Sequence, residues 1–532
     1  MSAADWYVDH DPATSVLLLA PPGCGKTETL ARYSHHLATT RHVEPPAQIL
    51  ALSYSRKSAA SLRERLERYF GGTWTRYVDV RTFHSWAHRL VHAHGGEAGI
   101  ELPARPPARY TVEQLLLGAC GGDFSARDRA ANVLRKVKTA RHSDDEVAER
   151  LAATNHQAHR YHQRLRSAGM YDYDDLIGWA RRTLAVTGVP AAYEHRFPVV
   201  VVDEVQDLTL AMLELTTAHN PSTQVFAGDV QQGIYRFSGA DPDAVLRAIR
   251  TRSPREVTLS TSYRSSPAVL DVVTKLGRSL GAAALTASDP DAWSGRSSFE
   301  NVSHDDPVQE AQWVADKVEQ LLAKDHVRNV GVITRSKRRR EFVDQEVEQR
   351  FDDVEVWDDH VHSPEAVAIL QRYVQSVDAA SPQPTDELRR LCLAEVPDDD
   401  FDLFGAINDA LAVLDVDTAE ELTRRISDLR VPSSDTEPVG PGVHLLNGHK
   451  GKGQEFDAVI VVGLEDYTLP TYGAIEGAKT GDRRELRDEQ AVLRVMASRA
   501  CYHLVFSRSA QLPRFKDGVW SDRDPSRFLN LL

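Results

Sequence analysis

The amino-acid sequence predicts an α/β protein built from two parallel-sheet lobes with mainly helical inserts. Three short apolar runs, SVLLLA (15–20), PVVVV (198–202) and AVIVVG (458–463), stand between polar or glycine-rich segments. Runs of this kind are typical of strands buried on both faces of a parallel sheet. Helical patterns over 57–70 and 307–322 would cover such sheets. A length of 532 residues exceeds what one hydrophobic core usually serves, so several units are expected.

The composition is that of a globular chain. Hydrophobic residues make up 42% and charged residues 26%, which excludes disordered and collagen-like classes. The 77 acidic and 63 basic side chains give a formal net charge of -14. This balance argues against a general polybasic coat, but a local basic groove can still follow a phosphate backbone on an acidic molecule.

The cysteines and the N-terminus indicate a cytoplasmic setting. Cys24, Cys120, Cys392 and Cys501 lie far apart and form no CxxC pair, so neither a disulfide framework nor a zinc or iron–sulfur site is indicated. The first fifteen residues lack a basic segment followed by a long apolar stretch, and no window has the apolar length that spans a bilayer. We therefore expect a cytoplasmic protein without a membrane partner.

The first apolar run leads into APPGCGKTETL, the pattern of a phosphate-binding loop before a helix. In such a loop Gly23 and Gly25 let backbone N–H groups approach phosphates, Lys26 neutralises their oxygens, and the Thr27 hydroxyl holds Mg²⁺. The alternative is a glycine turn with an incidental lysine, which the preceding strand makes improbable. Cys24 lies at the start of this helix, where the dipole can lower a thiol pKa, so redox or alkylation sensitivity is a hypothesis.

The second apolar run ends in a pair of carboxylates, in PVVVVDEVQD. Parallel strands bring Asp203 and Glu204 to the same sheet edge as the phosphate loop. Asp203 is a candidate ligand for Mg²⁺, and Glu204 a candidate base for an attacking water. Paired acids at a strand end are often only solvated caps, but their combination with a phosphate loop favours an ATPase. A phosphate-loop kinase or GTPase is the other nucleotide-binding possibility.

Further segments resemble, in order, the motifs of superfamily 1 helicases of the UvrD/Rep type. They are ILALSYSRKSAASLRERL (49–66), TFHSWAHRL (82–90), YDYDDL (171–176), GDVQQGIYRFSGA (228–240), LSTSYRSS (259–266), NGHKGKGQEF (447–456) and VMASRA (495–500). The resemblance implies two RecA-like lobes, with ATP in the cleft between them and a single nucleic-acid strand across their top.

The resemblance also implies roles for individual residues. Gln232 would sense the γ-phosphate or the attacking water, and Tyr263 would stack on the base. Arg264 would contact the γ-phosphate, and Arg499 would be the arginine finger of the second lobe. Gly453 and Glu455 would face the ribose and the triphosphate. Ordinary surface or inter-lobe salt bridges are the alternative for the two arginines. The second-lobe arginines and KGQEF argue against a phosphate-loop kinase or GTPase, which would have one nucleotide lobe.

Aromatic residues within these motifs are the candidate contacts to nucleic acid. An aromatic face can stack on any base, which suits a motor that moves regardless of sequence. Each such ring, taken singly, is more often part of a core. The candidates are Tyr54, Phe83, His84, Tyr235, Phe237 and His449.

By the same resemblance the chain divides into six segments. Residues 1–100 and 191–255 would form the first RecA-like lobe, interrupted by a helical insert over 101–190. Residues 256–375 and 442–532 would form the second RecA-like lobe, interrupted by a short insert over 376–441. The second insert is much shorter than the family's fourth subdomain, which favours translocation over processive unwinding.

The sequence departs from the family pattern at several positions. The first glutamine, Gln48, follows the phosphate loop, whereas the family carries an adenine-reading glutamine before it. Ser238 and Asn447 stand where arginine and threonine are usual, and these changes bear on how hydrolysis is coupled to movement. Arg494 stands where an aromatic residue is common, and Ser498 replaces a threonine.

We therefore predict an ATP- and Mg²⁺-dependent translocase or helicase that moves 3′ to 5′ on single-stranded DNA or partly single-stranded duplex. It would serve DNA repair, replication or genome defence. The compact length, the missing upstream glutamine and Ser238 favour an alternative, a nucleotide-switched DNA-binding subunit that regulates a partner nuclease. No nuclease signature is evident in this chain, so any cutting would come from that partner.

Overall fold

The computed structural model describes residues 6–8, 10–101, 109–234, 239–357, 364–396, 401–414, 416, 418–427, 429, 439–449, 453–514 and 518–532. Strands and helices alternate through most of this length. The strands are β1 (Val16–Leu19), β2 (Ile49–Ser53), β3 (Val78–Thr82), β4 (Val199–Val202), β5 (Thr223–Gly228), β6 (Arg255–Thr258), β7 (Thr261–Ser262), β8 (Thr286–Ala287), β9 (Ser298–His304), β10 (Asn329–Thr334), β11 (Val354–Val356), β12 (Gly442–Asn447), β13 (Phe456–Val462), β14 (Ala500–Ser509), β15 (Gln511–Pro513) and β16 (Trp520–Asp522).

The helices cover both sheets and form two further groups. They are α1 (Lys26–Thr39), α2 (Arg56–Phe70), α3 (Phe83–His94), α4 (Arg109–Ala119), α5 (Phe124–Lys138), α6 (Asp144–Thr154), α7 (His156–Ser167), α8 (Tyr173–Thr183), α9 (Val189–Arg196), α10 (Leu210–Thr217), α11 (Pro242–Arg250), α12 (Pro267–Arg278), α13 (Pro307–Leu322), α14 (Lys337–Arg350), α15 (Pro364–Tyr373), α16 (Pro384–Leu393), α17 (Phe401–Val413), α18 (Ala419–Ser427), α19 (Tyr472–Lys479) and α20 (Arg484–Ala497).

Two six-stranded parallel sheets form the two lobes, so the predicted α/β class with two parallel-sheet lobes is confirmed. The first sheet has the order β3-β2-β4-β5-β1-β6, and the second has the order β11-β12-β10-β13-β14-β9. The three apolar runs of the sequence are β1, β4 and β13. The two helical patterns are α2 and α13, which match their predicted ranges to within one residue.

Both faces of the first sheet are covered, which explains the uninterrupted valines of β4. Val199 and Val201 point into a core that includes α1 and α2, and this core continues into the second lobe. Val200 and Val202 point to the opposite face, against α3, α8 and α10. Successive side chains of a strand alternate between faces, so a strand with two buried faces must be apolar throughout.

Polar residues at the strand ends start the helices on the carboxyl edge of the first sheet. The Ser55 hydroxyl accepts the Ser58 N–H at the start of α2, and the Thr82 hydroxyl accepts the Ser85 N–H at the start of α3. These N-caps satisfy backbone donors that a helix start leaves unpaired. Short strand-to-helix connections therefore fix the residues between them at the sheet edge.

The two helical groups have cores of their own. Helices α4 to α7 enclose Leu134, Leu151 and Leu165, and helices α15 to α18 enclose Leu388 and Ile407. Helix α8 lies within the predicted insert range 101–190, yet its apolar side chains belong to the core of the first lobe.

Four segments rich in Pro, Gly, Ser or Asp interrupt the sequence and resemble turns or linkers. The break at 289–295 contains a short 3₁₀ turn, Asp291–Trp293, between β8 and β9, and the break at 381–386 runs into the start of α16. Most of 103–109 and 432–442 lies outside the described residues. Among the helices of the described ranges, none combines the length and the apolarity needed to cross a membrane.

Candidate nucleotide and nucleic-acid site

The loop between β1 and α1 has the backbone geometry of a phosphate cradle. Gly23 and Gly25 have φ values of +75° and +78°, in the left-handed region that residues with a Cβ rarely adopt. Gly25 directly precedes α1, and Lys26 and Thr27 form its first turn. A helix start presents backbone N–H groups and a positive dipole end, which suits an anion.

The predicted carboxylates lie beside this loop. Asp203 and Glu204 follow β4, which pairs with β5, and β5 in turn pairs with β1. The Lys26 Nζ lies 3.1 Å from the Asp203 Oδ1 and 2.5 Å from the Glu204 Oε1. The structure therefore brings together the lysine and both acids that the sequence singled out.

Burial shapes the charge state of this cluster. Asp203 is 1% exposed, and burial raises its pKa above the ordinary value, although the Lys26 charge opposes that shift and the Glu204 charge adds to it. Burial lowers the pKa of Lys26, but the charges of Asp203 and Glu204 outweigh it and leave that pKa raised. The lysine is consequently a permanent cation at the base of the cradle.

A neighbouring glutamine orients Glu204. The Gln206 Nε2 donates to the Glu204 Oε2, and the Gln206 Oε1 accepts the Asp229 N–H at 3.1 Å. Gln206 is 1% exposed, so these contacts are held inside the protein. The side chain that is the candidate base is thus fixed by both Lys26 and Gln206.

Arg264, one of the two predicted arginines, reaches this cluster from the far side of the cleft. Arg264 follows β7, and a Cβ placed on Gly23 would lie 2.7 Å from the Arg264 Cβ. The Tyr263 N–H donates to the Gly23 carbonyl oxygen at 2.9 Å, while the Tyr263 ring is 62% exposed. The segment that carries the candidate base-stacking ring therefore packs directly on the phosphate loop.

Arg499 enters the same region from the end of α20. Its Nη2 donates to the Gln232 Oε1 at 3.3 Å and to the Ser498 Oγ at 3.0 Å. Burial and the nearby Arg264 charge lower the pKa of Arg499 to about 10, against the opposing effect of Glu455 and other acids. The guanidinium is still protonated at neutral pH, so it is a buried cation that faces Gln232.

Gly453 and Glu455 lie in the loop before β13. Glu455 forms an ion pair with Arg264. Gly453 has φ +86°, and a Cβ on it would lie 3.7 Å from the Cδ of Lys57 at the start of α2. Both residues therefore lie where the second lobe meets the first.

Three of the six candidate nucleic-acid residues follow the carboxyl ends of strands, two in the first sheet and one in the second. Tyr54 follows β2, His84 follows β3, and His449 follows β12. All three side chains are half-buried. The His84 ring lies 4.7 Å from the Tyr173 ring, in an edge-to-face contact. Within the first lobe this places the nucleotide residues on β4, β5 and β1, and the aromatic residues on the adjoining β2 and β3.

Phe83 does not have the position that its prediction requires. Its ring is 1% exposed and packs in the core beneath α3, so it has no free face for a base. The prediction that Phe83 stacks on nucleic acid is therefore wrong in this structure, because the first residue of α3 turns inward. Tyr235 and Phe237 lie outside the described residues.

The hypothesis of a reactive Cys24 is also not supported. The thiol is 2% exposed, and burial, followed by the Asp229 charge, raises its pKa to about 12 despite the nearby arginines. Desolvation outweighs the helix dipole here, so Cys24 is a small buried residue of the loop.

The sequence reasoning missed several residues that shape the site. Gln206 and Asp229 hold Glu204 and Gln232, and the Gln454 carbonyl oxygen accepts from Arg499 at 3.4 Å. The only signal for them was their position beside residues already selected. Arg494 was noticed as a departure from the family, but its partner across the cleft is 265 positions away in the chain.

Comparisons with known proteins agree with this geometry. Residues 2–252 match the family model of the UvrD/REP helicase N-terminal domain. The ATP-dependent DNA helicase UvrD2 of Mycobacterium tuberculosis is 27% identical over 581 aligned residues, which cover 98% of this chain and 79% of that protein. UvrD1 of Mycobacterium leprae is 27% identical over 58% of this chain and 43% of its own length. PcrA of Leuconostoc citreum is 26% identical over 48% of this chain and 36% of its own length.

Proposed function

We propose, from the match of residues 2–252 to the UvrD/REP helicase N-terminal domain and the 27% identity to UvrD2, that this chain is a superfamily 1 helicase of the UvrD/Rep type. In this proposal it hydrolyses ATP and translocates 3′ to 5′ along single-stranded DNA. One observation carries the proposal. Arg264 of the second lobe packs on Gly23, in the same loop as Lys26, and Arg499 of the second lobe donates to Gln232, which donates to Asp229 of the first lobe. A triphosphate site completed by both lobes makes hydrolysis depend on how the lobes approach each other.

The residues at the cleft suit the binding of a nucleoside triphosphate. The backbone of the phosphate loop and Lys26 would hold the β- and γ-phosphates, with Arg264 reaching the γ-phosphate from the other lobe. Tyr263 would stack on the base, and Gly453 and Glu455 would face the ribose. Since no glutamine precedes the loop, ATP is favoured by the Tyr263 stack rather than by readout of the adenine edge.

The same residues suit Mg²⁺. The Asp203 Oδ2 is buried and has no hydrogen-bond partner among the described residues. Carboxylate and hydroxyl oxygens are the ligands that Mg²⁺ prefers, so Asp203 and Thr27 are the residues proposed to hold it. When bound, the ion would neutralise charge on the phosphates. It would also offset the burial that raises the Asp203 pKa.

Hydrolysis follows from the positions of Glu204 and Gln232. Glu204 would accept a proton from the attacking water, and Gln232 would orient that water or sense the γ-phosphate. Arg499 would stabilise the negative charge that develops on the transferred group. Since Arg264 and Arg499 belong to the second lobe, each cycle would include approach and separation of the lobes.

Aromatic residues that follow the carboxyl ends of the strands would couple this ATP cycle to movement along the nucleic acid. Tyr54 and His84 on the first lobe and His449 on the second would contact the strand, so that the two lobes grip it alternately. We also propose the six-segment division given above, with lobes at 1–100 plus 191–255 and 256–375 plus 442–532, except that α8 packs with the first lobe and α15 with the second insert. The short insert over 376–441 favours translocation without processive unwinding. Repair, replication and genome defence are the proposed settings.

The substitution Glu204→Gln tests the proposal. Loss of the base should lower kcat for ATP by about 10²- to 10⁴-fold, while the affinity for ATP changes little. Steady-state hydrolysis and binding of a fluorescent ATP analogue measure the two quantities. The matched control is Glu149→Gln on the exposed face of α6, which should hydrolyse ATP as the unmodified protein does.

Robust hydrolysis by the Glu204→Gln protein would refute the assigned base. Hydrolysis or strand movement that appears only after a partner protein is added would instead favour the nucleotide-switched binding subunit.

A further inference from the structure

Arg494 crosses the cleft beside Arg499. It lies in the last turns of α20 in the second lobe and is 1% exposed. Its Nη1 donates to the Oδ2 of Asp229 at 3.1 Å, and Asp229 directly follows β5 of the first lobe. The ion pair is buried on both sides, with exposures of 1% and 2% for the two side chains.

The contacts of this ion pair continue through Gln232 to Arg499. The same Asp229 Oδ2 accepts from the Gln232 Nε2 at 2.9 Å, and the Gln232 Oε1 accepts from the Arg499 Nη2 at 3.3 Å. The Gln232 amide therefore donates to one lobe's carboxylate and accepts from the other lobe's guanidinium. Because each end of the amide has a distinct partner, its orientation is fixed.

The protein makes room for Arg494 at some cost. A Cβ on Gly277 of α12 would lie 2.8 Å from the Ala282 Cβ and 3.0 Å from the Arg494 Nε, so the glycine leaves space for both side chains. The Arg494 Nε and Nη2 are buried and have no hydrogen-bond partner within the described ranges. Burying such donors unpaired is unfavourable, and an arginine serving packing alone would be replaced well by an apolar side chain.

We propose that Arg494 is a positioning residue of the ATPase, which sets the Gln232 amide through Asp229 only when the lobes are together. This inference rests on the proposed function. Arg494 touches neither nucleotide nor water in this role. It neutralises Asp229 and holds that carboxylate where it takes the Gln232 Nε2–H, which leaves the Gln232 Oε1 directed at Arg499.

The consequence is that hydrolysis depends on lobe closure through two arginines with different roles. Arg499 acts on the reacting group, and Arg494 acts on the residue that orients it. When the lobes separate, Asp229 loses its cation and Gln232 loses both the fixed carboxylate and the guanidinium. Hydrolysis in the separated arrangement is therefore suppressed even with nucleotide held on the first lobe.

The substitution Arg494→Met tests the inference in the 532-residue chain. It should lower kcat for ATP by about 10- to 100-fold, the usual effect of losing an outer contact that orients an active group, with KM changed by less than about threefold. Arg494→Lys should recover most of the lost kcat, since it keeps the charge. The double variant Arg494→Met/Asp229→Asn should lose less kcat than the two single variants combined, since Asp229→Asn removes the carboxylate that Arg494→Met leaves without its cation.

Arg487→Met, on the exposed face of the same helix, is the control and should keep the unmodified kcat. Assays well below the melting temperature of each variant separate positioning from unfolding. An unchanged kcat in the Arg494→Met protein overturns the inference. So does a double variant whose fold-loss in kcat equals the product of the losses in the Arg494→Met and Asp229→Asn proteins. Absence of ATP hydrolysis by the unmodified protein overturns the proposed function instead.

Discussion

Glu204 has a backbone φ of +57°, in the left-handed region that residues with a Cβ seldom occupy. Such a conformation costs about 1–3 kcal/mol and persists only where its surroundings fix it. Here the Glu204 N–H donates to the Asp203 Oδ1 at 2.8 Å, and Gln206 and Lys26 hold the carboxylate. The strained residue ends the strand and turns its side chain toward the phosphate loop. The location of the proposed base is thus decided by one backbone angle.

Buried histidines make the stability of the fold depend on pH. His219 is fully buried after α10, and burial lowers its pKa from 6.5 to about 4, although a backbone contact opposes the shift. Between these values the unfolded chain binds a proton that the folded chain does not, so stability falls as pH drops below about 6.5. His219→Gln should therefore reduce the loss of unfolding free energy between pH 7.5 and pH 5 by about 2 kcal/mol. Urea titrations followed by tryptophan fluorescence measure it.

The control for this prediction is His92→Gln on α3. This side chain is exposed, so its removal should leave the acid dependence as it is in the unmodified protein. An equal acid loss in the His219→Gln and unmodified proteins would show that His219 does not carry the effect. His503, whose pKa burial also lowers to about 4, would then be the next residue to replace.

Single residues show where the sequence was sufficient and where it was not. Lys26, Asp203 and Glu204 are close in space because each follows a strand of one sheet, and strand ends are readable from local patterns. Phe83 was misjudged because helix periodicity does not say which way the first residue of a helix turns. The role of Arg494 could not be predicted from the sequence, because its partner depends on how the two lobes pack together.

At the scale of elements, the phosphate loop and strand β7 form one contact surface. Besides the Tyr263 N–H bond to the Gly23 carbonyl, a Cβ on Gly23 would lie 2.8 Å from the Ser262 Oγ. The Ser262 Oγ in turn accepts the N–H groups of Arg264 and Ser265. The absence of a side chain at Gly23 therefore serves two purposes, a left-handed φ and close approach of the second lobe.

Gly23→Ala should abolish the contact between the loop and the second lobe. The added methyl would meet the Arg264 Cβ and the Ser262 Oγ at less than 3.0 Å, and the Arg264 Cβ cannot move without its backbone. A shift of about 1 Å at the arginine should lower kcat/KM for ATP by about 100-fold or more. Steady-state hydrolysis measures the loss, and the melting temperature shows whether the fold is kept.

Gly121→Ala separates the contact from the backbone strain. Gly121 has φ +66°, close to that of Gly23, but an added Cβ there would have nothing within 4 Å. It should therefore lower the melting temperature slightly and leave hydrolysis unchanged. Equal activity of the Gly23→Ala and Gly121→Ala proteins would mean that the second lobe does not need to approach the loop.

Elements were predictable where burial produced a continuous apolar run. Strands β1, β4 and β13 are covered on both faces and produce continuous apolar runs, so the sequence alone located them. Strand β3 has alternating buried and half-buried residues, and β7, Thr261–Ser262, has only two residues, so neither has a run to detect. The connection of the lobes by a continuous core has no local pattern at all.

For the whole molecule, the net negative charge and the carboxyl edges of the sheets have opposite effects on nucleic-acid binding. A net charge of -14 repels a nucleic-acid backbone at long range, so binding must come from local contacts at the strand ends. The nucleotide residues and the aromatic residues share one edge of the first sheet, on adjoining strands. In the proposed function, lobe movement at the cleft would therefore reach the bound nucleic acid through the strands of the first sheet.

This arrangement predicts movement that can be timed. With single-stranded DNA labelled at its 5′ end, the arrival signal after addition of ATP should show a lag that grows linearly with strand length. With the label at the 3′ end no lag should appear, since a 3′ to 5′ motor moves away from it. The Glu204→Gln protein is the control and should bind both DNAs without any lag, because it cannot complete the cycle.

The reverse pattern, a lag only at the 3′ end, would contradict the proposed polarity while keeping the motor. A signal whose timing does not depend on length in either DNA would contradict translocation itself. In that case lobe closure on ATP would serve only to change the affinity for DNA, and the two arginines of the second lobe would act in a switch. Linear growth of the lag is the result that only repeated cycles of closing and opening on the same strand can produce.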